Sequence, residues 1–271
     1  MLIAKKLIVK DVADIMETWS PTALAEEWDN VGLLLGDYNT RVNKILVALD
    51  ITEDVVQEAV SGKYDLIISH HPLIYNPLKN ITSASPSGRK ILTLLKEGVN
   101  VYSAHTNLDK STGGVNDCLF ERLGLENSAI LLEEGEGIGL GRVGMLPNPM
   151  NLSELVLHVK NSLNLPNIRF AGDANAVIRK VGLCGGDASG ERFIKAAYEL
   201  GCEAYLTGDL RYHTTQEALE MGIQLIDMTH YTSEIFVVDA IVGYLRSVLS
   251  GRGYDVDIQA TAINGQVFDS M

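Results

Sequence analysis

Six short apolar runs, each closed by polar residues and followed by a helical pattern, set the strongest limit on how this chain folds. In the first half they are KILVALD (44–50), DLIISHH (65–71) and NVYSAHT (100–106). In the second half they are RKVGLCGGD (179–187), EAYLTGD (203–209) and IQLIDMT (223–229). The helical patterns between them include TEDVVQEAVS, with Thr52 as its cap, GRKILTLLKEG, GERFIKAAYELG and HTTQEALEMG. Alternation of this kind predicts crossover helices joining parallel strands. Its occurrence twice predicts two α/β lobes with mainly parallel sheets, 1–126 and 127–271. A chain of 271 residues is long enough to give each lobe its own core. Facing lobes would gather both sets of strand ends in one cleft, and ligands bind at the carboxyl ends of such strands.

Between the halves lies LLEEGEGIGLGRVGMLPNP, which contains Gly139-x-Gly141-x-x-Gly144, a formal match to the dinucleotide fingerprint. Pro147 and Pro149 stand where the phosphate-binding helix would begin. The segment therefore reads as a turn-rich connector or strand pair rather than a nucleotide loop.

The net charge of -13 argues against sequence-independent binding to nucleic acid, which needs clustered Lys and Arg. A local pocket for one small anionic ligand is compatible with Lys79, Arg89, Lys90, Lys110, Arg142 and Arg211, all near the interesting strand ends. Cys118, Cys184 and Cys202 are too few and too scattered for a disulfide framework or a cysteine-based zinc site. No signal peptide is legible at the start, and IFVVDAIVGYL, the best membrane candidate, is broken by Asp239. The expectation is a cytoplasmic protein without a membrane span.

Five of the six histidines fall at or just after the apolar runs: His70 and His71, His105, His213 and His230. His158, within LSELVLHVKNSL, reads as incidental. Adjacent residues in a strand face opposite sides, so His70 and His71 are expected to diverge, with Pro72 holding His71 extended. That geometry suits two neighbouring ions. Asp109 follows His105 by four residues and precedes Gly113-Gly114, where a tight loop would turn its carboxylate back. His230 and Glu234, also four apart, share a side if that turn is helical. Three imidazoles and two carboxylates, His70, His71, Asp109, His230 and Glu234, thus form a candidate metal set. Such ligands suit Zn, Fe, Mn, Co or Ni alike. Asp50 and Asp187 read as loop or capping carboxylates, and Asp209 and Arg211 as substrate-orienting groups or a surface ion pair. SHHP superficially resembles the Asp-His-His phosphoesterases, but Ser69 occupies the acidic position and no upstream Asp-x-Asp is present.

Taken together, EEWDNVGLLLGD (26–37), KILVALDIT, LIISHHPLIYNPLK, VYSAHTNLD with GGVND, GIGLGRVG, YLTGDLRYH and THYTSE resemble the Nif-three-like family of dinuclear-metal proteins. Its members often carry the name GTP cyclohydrolase 1 type 2 homologue. The resemblance implies two α/β lobes, a dimetal centre between them and a ring-shaped homohexamer. It implies the same five ligands to two divalent ions, with Glu234 bridging and His105 close to the metals. Thr229 stands where many members have Gly, and Asp209 where many have Glu. The implied activity is metal-dependent hydrolysis of a nucleotide-like substrate, with GTP ring opening and formate loss as the named candidate. His105 or His213 would move protons. Two other roles fit the same residues: delivery of a metal or metallocofactor precursor without turnover, and a ring-forming interaction scaffold.

Overall fold

Each of the six apolar runs forms a strand in the computed structural model, which describes residues 6–269. In chain order the elements begin α1 (Val9–Trp19), β1 (Gly32–Leu35), β2 (Lys44–Ala48), α2 (Glu53–Ser61), β3 (Leu66–Ser69), α3 (Pro86–Glu97), β4 (Asn100–Ser103) and α4 (Thr106–Lys110). They continue with α5 (Val115–Arg122), β5 (Glu126–Gly135), β6 (Ile138–Asn151), α6 (Leu152–Ser162), β7 (Arg169–Ala171), β8 (Val177–Leu183) and α7 (Glu191–Glu199). The last are β9 (Ala204–Thr207), α8 (Tyr212–Glu220), β10 (Gln224–Asp227), α9 (His230–Glu234), α10 (Phe236–Gly251) and β11 (Asp257–Ala260).

Local chemistry explains where the helices start. The Thr52 hydroxyl accepts the Val55 amide at 3.2 Å and caps α2. Ser85 caps α3, and Pro86 occupies its first position, where a missing amide hydrogen costs nothing. Asn151 and Glu154 satisfy each other's backbone amides at the start of α6.

The chain divides into two compact units, and the division differs from a single cut at 126/127. One unit comprises the described part of Met1–Ser111 together with Val237–Gly265. The other comprises Thr112–Phe236 and the described part of Gln266–Met271. The physical reason lies at the C-terminal end. The strand β11 pairs in parallel with β2, placing Ile258 opposite Ile45, so the last helix and strand belong to the first sheet. Its apolar pattern looks like the end of the second repeat, and periodicity alone carries no record of a return.

The first unit holds a five-stranded sheet in the order β1-β4-β3-β2-β11. Only the β1–β4 pairing is antiparallel. Every residue of β3 and β4 is buried, as expected of parallel strands covered on both faces. On one face Leu46, Ile67 and Val101 pack with Val55, Val56 and Ala59 of α2 and Ile91 and Leu94 of α3.

The second unit holds a six-stranded sheet, β5-β6-β8-β9-β10-β7. Here the expectation of a mainly parallel sheet fails. Only β8–β9 and β9–β10 are parallel, while β5–β6, β6–β8 and β10–β7 are antiparallel. The glycine-rich segment accounts for two of these three: it is a strand pair, β5 turning into β6, built into this sheet, while the short β7 adds the third at the other edge. A side chain at Gly141, where φ is +67°, would lie 2.6 Å from the Leu183 carbonyl, and one at Gly144 would strike the Phe120 ring. These glycines permit close strand packing and no phosphate loop. Pairing of β6 with β8 jumps from Met145–Lys180 to Met150–Ile178, and Pro147 and Pro149 fall inside that irregularity.

Among the described residues, no helix is long and apolar enough to cross a membrane. If β11 is integral to the first unit, Ile258→Ala should lower unfolding free energy by about 2–5 kcal/mol in chemical denaturation. The exposed Val267→Ala should leave it unchanged.

Candidate metal centre

In the first unit, β3 ends at Ser69 and delivers His70 and His71 just beyond it. The backbone continues the parallel ladder there: the amides of His70 and His71 donate to the carbonyls of Ala48 and Leu49. The neighbouring strand, β4, ends at Ser103 and delivers His105. The adjacent imidazoles do not point away from one another. The ring centroids of His70 and His71 lie 5.0 Å apart, and His105 lies 5.1 Å from one and 5.6 Å from the other. One nitrogen from each of the three rings falls within 4.8 Å of the others. His105 therefore belongs to the donor cluster by position, beside the residues expected to bind metal.

Asp109 returns toward the strand ends by a different route from the expected glycine loop. The chain enters the single helical turn α4 at once, with the Asp109 amide donating to the His105 carbonyl at 3.0 Å. This places Asp109 Oδ1 3.6 Å from His70 Nε2.

In the second unit, β10 delivers His230 and Glu234 within α9. The helical turn aligns the two side chains as their spacing requires, with Nε2 and Oε2 3.3 Å apart. Glu234 is buried, and His230 is half-buried. Gly186, with φ of +67°, forms the adjacent wall: a Cβ there would lie 2.3 Å from Glu234 Oε1 and 3.5 Å from His230 Nε2. A side chain at this position would fill the space that these two donor atoms face.

The acceptor behind each ring is the feature that sequence reasoning missed. His70 Nδ1 lies 2.9 Å from the Ala104 carbonyl, and His71 Nδ1 lies 2.7 Å from Asp50. His105 Nδ1 lies 2.9 Å from Asp29, and His230 Nδ1 lies 2.8 Å from Asp209. A carbonyl or carboxylate oxygen only accepts, so each Nδ1 carries a hydrogen, which leaves Nε2 as the coordinating nitrogen whenever the ring is neutral. Asp50 and Asp209 are thus ring-orienting groups and not merely loop or surface carboxylates. Arg211 pairs with Asp187 rather than with Asp209, and Asp187 also accepts from the Ser189 hydroxyl as a loop carboxylate would.

Asp29 is the most constrained of these carboxylates. Its side chain is shielded from solvent. It accepts from His105, from the Thr106 amide at 3.0 Å and from the Thr106 hydroxyl at 2.5 Å. Burial pushes its pKa upward, but the hydrogen bonds and the His105 charge outweigh that and hold it well below the carboxylate range.

The remaining singled-out residues lie elsewhere. His213 is exposed at the start of α8, edge-on to Tyr212 at 5.3 Å, and among the described residues it joins no donor cluster. His158 bonds the Leu123 carbonyl at 2.8 Å, as an incidental histidine should. Most of the basic residues considered for an anionic ligand are engaged within the chain. Arg89 pairs with Glu53, Lys110 with Glu26, Arg142 with Asp117, and Lys90 donates to the Ile51 carbonyl.

A depressed Asp29 pKa contributes stability above the ordinary carboxylate range, and this is lost as acid protonates the folded protein. The stability gap between the metal-free wild type and Asp29→Asn should therefore narrow below about pH 4. Denaturant unfolding at several pH values measures it; a gap independent of pH would contradict the assignment.

The sequence matches the Duf34/NIF3 (NGG1p interacting factor 3) family over residues 7–265. A "GTP cyclohydrolase 1 type 2 homolog" of Clostridium perfringens is 41% identical over 229 residues, covering 83% of this chain and 86% of the relative. A protein of the same name from Clostridium acetobutylicum is 36% identical over 261 residues, covering 95% and 97%. The crystal structure of a Bacillus cereus protein related to NIF3 superposes with a TM-score of 0.93 at 26% identity, covering 98% of this chain and 100% of that one.

Proposed function

The chain belongs to the Duf34/NIF3 family, and on that premise we propose that it is a metal-dependent hydrolase acting on a nucleotide-like substrate. His70, His71, Asp109, His230 and Glu234 would hold two divalent ions, with Glu234 contributing to both. The observation that carries this reading is the anchoring of the rings: His70, His71 and His230 each have Nδ1 committed to an acceptor, which leaves Nε2 for coordination. Mixed imidazole and carboxylate donors fit zinc, iron, manganese, cobalt or nickel. Gly186 leaves room beside Glu234 and His230 where a side chain would intrude.

Bound ions would supply Lewis acidity and a source of hydroxide near neutral pH. The remaining work falls to the chain. His105, with Asp29 behind Nδ1, is suited to hold a proton on Nε2 and pass it on, because the carboxylate stabilises the imidazolium. Its place beside His70 and His71 favours it for this step over His213, an exposed histidine that joins no donor cluster among the described residues. A small anionic substrate such as GTP, opened at the imidazole ring with loss of formate, is the named candidate supported by the relatives' shared name. Self-association into a homohexameric ring is part of the same proposal, resting on the family resemblance.

Protein reconstituted separately with zinc, manganese and iron should release formate from GTP, and Glu234→Gln should abolish the release. Absence of formate with every metal, despite confirmed loading, would transfer the proposal to metal or metallocofactor-precursor delivery.

A further inference from the structure

Two large aromatic side chains stand in solvent beside the imidazole cluster of the first unit. Trp28 is 55% exposed and Tyr75 is 50% exposed. Their ring centroids are 5.8 Å apart with the planes inclined at 56°. His105 lies 6.1 Å from Trp28 and 6.4 Å from Tyr75, edge-on to each. An exposed tryptophan leaves a large apolar face in water, where burial would be worth more than for most side chains.

The segment that carries Trp28 is held from both sides. Asp29, its neighbour, is bonded to His105 and to both the amide and hydroxyl of Thr106. The Asn30 amide group donates to the Ile74 carbonyl at 2.5 Å, tying this segment to the one that carries Tyr75. The Glu26 amide donates to the Thr106 hydroxyl at 2.9 Å. The backbone on either side of the indole is therefore fixed to the strand end that supplies His105, while the ring itself is left open. A bound ring loses less affinity to ordering when its platform is already in place.

We propose that Trp28 and Tyr75 form a stacking site for a planar purine-type ring, presented to the imidazole of His105. The inference rests on the hydrolase reading for the choice of a purine and for what happens to the ring once bound, while the aromatic platform stands on the geometry alone. His105 lies within 6.4 Å of both aromatic rings by centroid, so a ring held on either one sits in the neighbourhood of that imidazole. Stacking tolerates different bases, since every base has a π face, so the pair fixes the ring and leaves base identity to other groups.

The test uses the Trp19→Phe protein loaded with zinc. Trp19 packs against Tyr244 with ring centroids 4.5 Å apart, and its replacement leaves Trp28 as the sole tryptophan of the two in the chain. Guanosine monophosphate should quench Trp28 emission, and ribose 5-phosphate at the same concentration should not. By calorimetry on the wild-type background, Trp28→Leu and Tyr75→Leu should each weaken guanosine monophosphate about tenfold. Zinc stoichiometry should be unchanged in both variants. Equal effects of the two ligands, no quenching by the purine, or unaltered purine affinity in both variants would overturn the stacking site. A protein that binds no zinc yet shows purine-specific quenching would refute the hydrolase reading alone. Concentration-dependent self-association that disappears in Trp28→Leu, without purine binding, would assign the pair to contact between copies instead.

Discussion

The candidate metal centre depends on one repeated interaction, the hydrogen bond from a histidine Nδ1 to an oxygen behind it. A neutral imidazole has one donor and one acceptor nitrogen, and its ring can rotate between them. Engaging Nδ1 removes both freedoms and leaves Nε2 as the coordinating atom. Three of the four acceptors are carboxylates, which also make the ring a stronger base. Without these oxygens the same histidines would be strand-end side chains with no fixed direction.

Much of the donor set was legible because it obeys local rules. His70, His71, His105 and His230 sit just beyond strands whose apolar runs are unmistakable, and the four-residue step from His230 to Glu234 is a helical one. Asp50 and Asp209 escaped because their partners are distant in sequence, yet a signal was present. The parallel register sets Ala48 opposite Ser69, so Asp50 stands opposite His71 two residues on. In the second unit Thr207 pairs with Asp227, which brings Asp209 close to His230. Each acid follows one strand and serves the histidine that follows the next. Asp29 had no such signal, since it reaches His105 from an irregular segment. The parallel strands were readable from buried apolar runs; the β5–β6 strand pair and the return of β11 to β2 depend on long-range pairing that periodicity does not encode.

Backbone geometry supplies a second constraint around the His230 pair. Thr229 adopts φ of 60° and ψ of 153°, and Asp209 adopts φ of 52°. Such conformations cost non-glycine residues on the order of 1–3 kcal/mol each and persist where surrounding contacts enforce them. The Thr229 amide donates to Asp227 and its hydroxyl to Thr232, while Asp209 is held by His230. Two left-handed residues thus flank a proposed ligand: one precedes it and the other is the carboxylate that orients it.

The most direct measurement is zinc affinity, by calorimetric competition with a chelator, for the wild type, Asp50→Asn and Asp209→Asn. Asparagine keeps the size of the side chain but loses the charge that fixes and strengthens the ring. Each variant should bind zinc about 10–100-fold more weakly while retaining its thermal unfolding profile without metal. Wild-type affinity in both folded variants would contradict the claim that these carboxylates prepare the imidazoles for metal.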